Sequence, residues 1–243
     1  MTNFEKTFLL DVGFTKANTT QVLEFITTSL EKQLEKYYIV TPNPELLVIA
    51  HKNPEYKNVL NNAKLALVDG IGVLAASRLL GKPLRERIHG VDLMESLCKE
   101  VSKQPITVGF LGAGPGVAEQ TADCLRKKFP GLKVGLVAQE WSESLKSSKV
   151  DILFVAFGSP KQELWINKNL AKLPVKVAIG VGGAFDFVSG KVPRAPKFLR
   201  RMGLEWFFRL IIQPWRIKRQ LSIIQFISLV LQERLKISNK PLD

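Results

Sequence analysis

The chain is poor in the residues that build disulfide frameworks and metal centres. It has two cysteines, Cys98 and Cys124, and two histidines, His51 and His89, in 243 residues. Cysteines lying in helix-like segments at no ligand spacing exclude a disulfide-stapled fold and a regular zinc motif, and they fit a reducing, cytoplasmic setting. Long hydrophobic runs are missing as well, since no stretch reaches the roughly 20 apolar residues that span a bilayer. The opening MTNFEKTFLLDVGF holds an apolar run too short for the centre of a signal peptide, with no basic start and no small-residue cleavage site, so export is not expected. Acidic residues are scarce: 22 Asp and Glu face 35 Lys and Arg, a formal net charge of +13.

The excess charge is unevenly spread. From Lys191 onward twelve Lys and Arg stand against Glu205, Glu233 and Asp243, so about two thirds of the excess lies in the last fifth of the chain. Such a block attracts phosphates, whether of nucleic acid, anionic lipid or a phosphorylated substrate. Ahead of it, a hydrophobic content of 46% supplies the core of one large domain, or of a domain with an appendage. SGKVPRAP, residues 189–196, reads as a linker and divides the chain into a core, 1–190, and an appendage, 191–243.

Periodicity in the core alternates between strand and helix. Strands are expected over residues 7–12, 38–40, 65–68, 106–111, 133–137, 151–157 and 175–181, and helices over 20–36, 45–50, 73–80, 93–102, 117–129 and 164–170. Thr19 or Thr20 is expected to cap the first helix. Five of the strands run into turns marked by glycine or proline. The α/β rhythm predicts a mostly parallel sheet covered by helices on both faces, and in such sheets ligands bind outside the carboxyl ends of the strands.

Those turns carry the candidate chemistry. Asp69 follows an apolar run and precedes Gly70-Ile71-Gly72, which makes it either a carboxylate for acid or base work, with glycines allowing close approach, or the cap of the next helix. Thr41-Pro42-Asn43-Pro44 is likewise open between a site and a proline-stiffened helix start capped by Thr41 or Asn43. Arg87 lies close to the Asp69 turn, where a guanidinium can hold a diphosphate by paired hydrogen bonds; His89 beside it makes no metal set with the distant His51. Gly112-Ala113-Gly114-Pro115-Gly116 offers backbone N–H groups to a phosphate at a helix N-terminus. It is not a full dinucleotide fingerprint, because Val117 fills the third glycine position, although Glu140 has the place of a ribose-binding acid.

In the basic segment Trp206, Phe207, Phe208, Trp215 and Phe226 are interleaved with Arg200, Arg201, Arg209, Arg216, Lys218 and Arg219. Pro214 should divide it into two helical pieces. Basic-aromatic helices of this kind lie in a membrane interface; packing on the sheet with the cations solvated is the plainer alternative.

Seven stretches in this order, IVTPNPELL, LVDGIGV, RIHGVDL, FLGAGPG, FGSPKQELWI, GVGGAFDFVSG and RAPKFLRRMGLEWFFRLIIQPWRIKR, resemble the WecG/TagA/CpsF family of bacterial glycosyltransferases over nearly the whole chain. The resemblance implies a Rossmann-like fold working without metal or cofactor. It implies transfer of N-acetylmannosamine or a related hexose, with inversion, from a UDP-sugar to a polyprenyl-diphosphate-linked N-acetylglucosamine, on the inner face of the plasma membrane in cell-surface polymer synthesis. By motif match Asp69 is the general base and Arg87 acts beside it. Thr41, Asn43 and Gln162 line the reaction centre, while Gly112, Gly114, Gly116 and Asp186 hold the nucleotide. Arg209, Arg216 and Arg219 contact the acceptor diphosphate, and Trp206, Phe207 and Trp215 enter an anionic membrane surface. No nucleic-acid partner is implied, and homo-oligomerisation is open. Ala138-Gln139-Glu140-Trp141 departs from the aromatic or glycine that relatives often carry there. Two rival readings stand beside this one: a nicotinamide-dependent oxidoreductase built on the Gly112 turn, and a non-catalytic membrane or nucleic-acid binding module driven by the basic segment.

Overall fold

The structure, a computed structural model, describes residues 4–32 and 35–238, and all their side chains except those of residues 218–220 and 238. The first described elements are an antiparallel hairpin, β1 (Lys6–Leu9) and β2 (Val12–Thr15), which stands apart from the main sheet. The single strand expected over residues 7–12 is thereby corrected. Leu10 and Asp11 take φ values of +48° and +62°, the hand that closes a two-residue hairpin. Because Leu10 is buried in the turn, the apolar run reads straight through the reversal.

Helix α1 (Thr19–Glu31) is capped by Asn18 rather than by a threonine. Asn18 Oδ1 accepts from the Gln21 N–H at 2.9 Å while Gln21 Oε1 accepts from the Asn18 N–H at 3.1 Å, a reciprocal capping box. The helix ends before residue 36; residues 33–34 lie outside the described part. Strand β3 (Tyr37–Val40) leads to α2 (Pro44–Lys52) and then to α3 (Pro54–Asn62), a helix the sequence reading missed. The two helices abut at Asn53, which ends the first and caps the second by accepting from the Tyr56 N–H at 3.0 Å. Pro54 occupies a first-turn position that tolerates its missing N–H.

The alternation continues through β4 (Leu65–Ala66), α4 (Ile71–Leu79), α5 (Gly90–Val101), β5 (Thr107–Gly112), α6 (Val117–Lys128), β6 (Lys133–Ala138), β7 (Ile152–Ala156), α7 (Lys161–Asn169), β8 (Val177–Gly180) and α8 (Ala184–Val188). Six strands form one parallel sheet in the order β4-β3-β8-β7-β5-β6, the architecture expected from the rhythm of the sequence. Successive residues of each central strand serve opposite faces. Ile152 and Phe154 share a cluster with residues of α1, α5 and α6, and Leu153 and Val155 share one with residues of α2 and α3 and with Phe226 and Val230. After β5 the chain moves outward to β6, and after β7 it moves inward to β8, so the β5/β7 boundary is a topological switch point of the kind that opens a ligand crevice.

Beyond α8 come α9 (Lys197–Arg201), α10 (Glu205–Ile212) and α11 (Ile217–Ser238). Pro214 divides the last two as expected, in a short 3₁₀ turn over Pro214–Arg216. Helix α11 lies along α2 and buries Phe226 and Val230 in the cluster that contains Leu47. Glu233 on α11 accepts from the Leu10 N–H at 3.0 Å and from Lys82 Nζ at 2.9 Å. In the stretch 189–196, Val192 and Ala195 are buried. No helix among the described residues is long and apolar enough to cross a membrane.

Candidate active site

A cleft of about 840 Å³ opens over the carboxyl edge of the sheet. The segments that follow β3, β4, β5, β7 and β8 form its floor, and α10, α11 and the Pro214–Arg216 turn form its roof. It gathers Thr41, Asn43, Asp69, Arg87, Gln162, Asp186, Arg209, Arg216, Gly114 and Trp206, which lie far apart in sequence. Gly112 and Gly116 shape the turn behind it. Phe207 and Trp215 are exposed outside the cleft, Trp215 at 71%. The Arg219 side chain lies outside the described residues.

Asp69 is not a helix cap. Gly70, at φ +96°, occupies the N-cap position of α4, and that helix end has no side-chain cap bond among the described residues. The carboxylate turns instead to His89: Asp69 Oδ1 and His89 Nδ1 are 2.6 Å apart, with the side chains 27% and 17% exposed. The loop that carries His89 is drawn to Asp69 by the bond from the Ile88 N–H to the Val68 carbonyl at 2.8 Å. On the far side, His89 Nε2 is buried, has no hydrogen-bond partner among the described residues and faces Glu205 Oε2 at 3.7 Å. Burial pushes the His89 pKa down and Arg87 acts in the same sense, but the bond to Asp69, its charge and that of Glu205 outweigh them and hold the imidazole above its ordinary value. Sequence reasoning placed His89 near the turn without giving it a role. Histidine spacing carried no signal for a pairing across twenty residues.

Glu205 is itself held. Its Oε1 lies 3.3 Å from Arg194 Nε, and Arg194 Nη2 lies 2.7 Å from Asp92 Oδ2. Burial works to raise the Asp92 pKa, yet the bond and charge of Arg194 bring it below the usual carboxylate value. Arg87 donates through Nη2 to the Arg200 carbonyl at 2.6 Å. The bonds of Arg194 to Asp92 and of Arg87 to the Arg200 carbonyl cross between the core and the basic segment.

The remaining residues divide between shaping the cleft and facing it. Asn43 Oδ1 accepts from the Leu46 N–H at 3.1 Å, so it caps α2 while lining the cleft. Gln162 is buried; its Nε2 donates to Ser159 Oγ at 3.2 Å and Glu163 Oε1 at 2.8 Å, and its Oε1 accepts from the Gly182 N–H at 3.0 Å. Glu163, unforeseen from the sequence, is buried too and also accepts from Tyr56 at 3.2 Å and Ser159 at 2.7 Å. Burial raises its pKa despite these bonds. This polar network fixes the β7 and β8 turns against each other.

At the switch point, Gly112 has φ +112° and a Cβ there would lie 2.8 Å from the Ala156 carbonyl carbon, so only glycine fits. The Ala113 N–H bonds the Ala156 carbonyl at 3.0 Å, and the α6 N-terminus has no side-chain cap among the described residues. A Cβ on Gly114 would lie 3.1 Å from Lys191 Nζ, which brings an ammonium beside the turn. Arg209 lies over the Phe187 ring at 4.7 Å, with Nη2 3.9 Å from Asp186 Oδ2. Both Arg209 and Arg216 lend a hydrogen bond to Gln213. The cleft therefore offers a carboxylate held by an imidazole, N–H dipoles at a glycine turn, and several cations.

An open parallel sheet whose carboxyl edge carries these groups suits transfer chemistry on a phosphorylated donor, and comparison with known proteins defines the class. The family model described as "Glycosyl transferase WecG/TagA/CpsF family" matches residues 7–240. A Bacillus spizizenii protein named N-acetylglucosaminyldiphosphoundecaprenol N-acetyl-beta-D-mannosaminyltransferase is 39% identical over 237 residues, 95% of this chain and 92% of the relative. Proteins of the same name from Bacillus subtilis strain 168 and Staphylococcus aureus strain MRSA252 are 36% and 32% identical, over 85% and 97% of this chain and 86% and 96% of their own lengths. The protein is a glycosyltransferase, and it belongs to the WecG/TagA/CpsF family. The nicotinamide and purely binding readings are set aside by that membership.

Proposed function

We propose that the protein transfers N-acetylmannosamine, with inversion and without a metal, from a UDP-sugar to N-acetylglucosamine carried on undecaprenyl diphosphate. The observation that carries the reading is the Asp69 carboxylate in a cleft shared with Arg87, Arg209 and Arg216, together with the names of the relatives. Asp69 removes the proton of the acceptor hydroxyl as its oxygen attacks the anomeric carbon. The bond from that carbon to the UDP oxygen breaks, and UDP leaves with the electron pair. The glycine turn from Gly112 to Gly116 receives the donor's diphosphate, Lys191 and Arg87 meet its growing charge, and Asp186 holds the nucleotide. Thr41, Asn43 and Gln162 shape the space for the sugars. Arg209, Arg216 and Arg219 take the acceptor's diphosphate. His89 positions Asp69 rather than touching substrate.

The segment 191–243 serves as the membrane-associating part, on the inner face of the plasma membrane. Support comes from its excess of cations and from exposed Phe198, Trp206, Phe207, Ile211 and Trp215. The test is UDP release by purified protein given a panel of UDP-sugars and a short-chain lipid-diphosphate N-acetylglucosamine, with chelator present. Acceptor-dependent release that is greatest with UDP-N-acetylmannosamine supports the reading. Release that needs added metal, or that ignores the acceptor, overturns it.

A further inference from the structure

One part of the cleft has no role in the chemistry above. Helices α4 and α11 run side by side and in the same direction, as two contacts establish. A Cβ on Gly72, in the first turn of α4, would lie 3.8 Å from the Phe226 ring, and Lys82, just past the end of α4, bonds Glu233 at 2.9 Å. Both helices therefore advance away from Asp69, which immediately precedes α4. Between them the cleft is lined by Gly72, Ala75 and Leu79 from one helix and by Ile223, Ile227 and Leu231 from the other. Each set recurs at spacings of three or four residues, so each forms one stripe. The strip extends over roughly 12 Å of helix rise from Ile223 to Leu231. Its near end meets the catalytic cleft, where Arg209 and Arg216 also face. Its far end opens at Leu79 and Leu231, which are 47% and 50% exposed.

We propose that this apolar strip is a binding site for the first isoprene units of the acceptor's lipid chain. The inference rests on the function proposed above and deepens it. A lipid diphosphate has one charged and one apolar end joined in sequence, and the cleft has the same order: carboxylate, arginines, apolar strip, exit to the surface. Gly72 lets Pro44 and Phe226 close the near end of the strip, the small exposed Ala75 leaves width beyond it for a methyl-branched chain, and the isoleucines and leucine opposite supply its contacts. On this account the enzyme draws the start of the lipid out of the bilayer along α4, which fixes the direction from which the acceptor sugar reaches Asp69.

The experiment is calorimetric titration of the full chain with farnesyl diphosphate and with inorganic diphosphate, below the micellar concentration of the former. Wild type should bind farnesyl diphosphate tighter than inorganic diphosphate by roughly tenfold or more, from burial of the chain. Ala75→Trp, at an exposed α4 position, and Ile227→Asp, on the facing helix, should each bring farnesyl diphosphate down to the level of inorganic diphosphate. Thermal melts verify that both variants fold, and the two sit on different helices. Equal binding of the two probes by wild type, absence of farnesyl diphosphate binding, or a preference that survives in both variants overturns the proposal. Turnover separates it from the reading on which it rests. Sugar transfer without a chain preference removes the strip alone, whereas a chain preference without any sugar transfer removes the assigned reaction and leaves a lipid-diphosphate site.

Discussion

Asp69→Asn is the substitution whose outcome can be worked furthest from the structure. Asparagine has the same shape, and its Oδ1 can accept from His89 Nδ1–H across the same 2.6 Å contact, so the loop from Arg87 to Gly90 keeps its anchor. What is lost is the negative charge. A charge-assisted hydrogen bond becomes a neutral one, a loss of about 1 kcal/mol, and for a chain of this size the melting temperature should fall by roughly 2–4 °C. The effect on turnover should be far larger. A positioned general base contributes about a hundredfold to ten-thousandfold, equivalent to roughly 2.7–5.4 kcal/mol of transition-state stabilisation. Because Asp69 lies on the β4 turn and the glycine turn follows β5, KM for the UDP-sugar should hold while kcat collapses. The assay is coupled UDP release at saturating acceptor, with UDP binding measured separately by calorimetry. A folded variant that binds UDP and turns over within about threefold of wild type would refute the assignment of the base.

Three further outcomes follow from named contacts. His89 should titrate above its ordinary value, and Glu205→Gln should bring it down, because one of the charges that raises it is gone; proton NMR of the His51→Asn protein isolates the resonance, and an unmoved titration would discredit the Glu205 contact. Since the folded pKa is the raised one, the stability that His89 lends is complete below its unfolded value of about 6.5 and fades as pH climbs through the folded value, so Glu205→Gln should lose stability mainly on the acid side. Gly112→Ala and Gly183→Ala should part company: the first drives a Cβ against the Ala156 backbone at positive φ and should lower stability by roughly 2–3 kcal/mol, while the second meets only the guanidinium end of Arg209, at 2.5 Å, so it should displace that side chain and weaken acceptor use with a smaller loss of stability than the first. Arg194→Ala leaves Asp92 and Glu205 without their shared cation; allowing for water at the half-exposed Asp92, the loss should be roughly 1–2 kcal/mol, with faster proteolysis between residues 189 and 205, and an unchanged digestion pattern would count against the anchoring role.

Much of this was legible in the sequence because the sheet is buried on both faces. Runs such as residues 151–157 can be little else, and the turns after them fall at one edge by topology alone. That is why the turns at Thr41, Asp69, Gly112, Gly158 and Gly182 could be placed at one edge, whereas Arg209 and Arg216, which lie beyond the sheet, were assigned to the same neighbourhood by family resemblance. The failures have specific causes. The hairpin hid behind two non-glycine residues at positive φ, and α3 hid behind an asparagine serving two helices at once. His89 and Glu163 were overlooked because their importance lies in partners: one faces Asp69 and Glu205, the other sits under Gln162 and Tyr56. Periodicity reports which face is buried, whereas pairing of polar groups across the sheet edge depends on loop paths that no short pattern encodes.

The basic segment is more than a lure for phosphates. If attraction to anions were its whole business, an acid in it would be a liability, yet Glu205 is directed inward, to His89 at 3.7 Å and Arg194 at 3.3 Å. Arg194 in turn reaches Asp92 on α5, and the Arg200 carbonyl receives Arg87. Apart from the Glu205–Arg194 pair, which lies within the segment, each link joins a residue beyond position 190 to the short stretch from Arg87 to Asp92 that also holds His89. The carboxylate proposed as the base is therefore steadied, through His89, by the same segment proposed to meet the membrane. A segment displaced from the core would take Glu205 from the buried Nε2 of His89 and free Arg87 from its carbonyl, which disturbs the Asp69 partner and a leaving-group cation together. The chemistry and the seating of the segment are in this way one electrostatic unit, and activity should follow the seating even where every cleft residue of the core is intact.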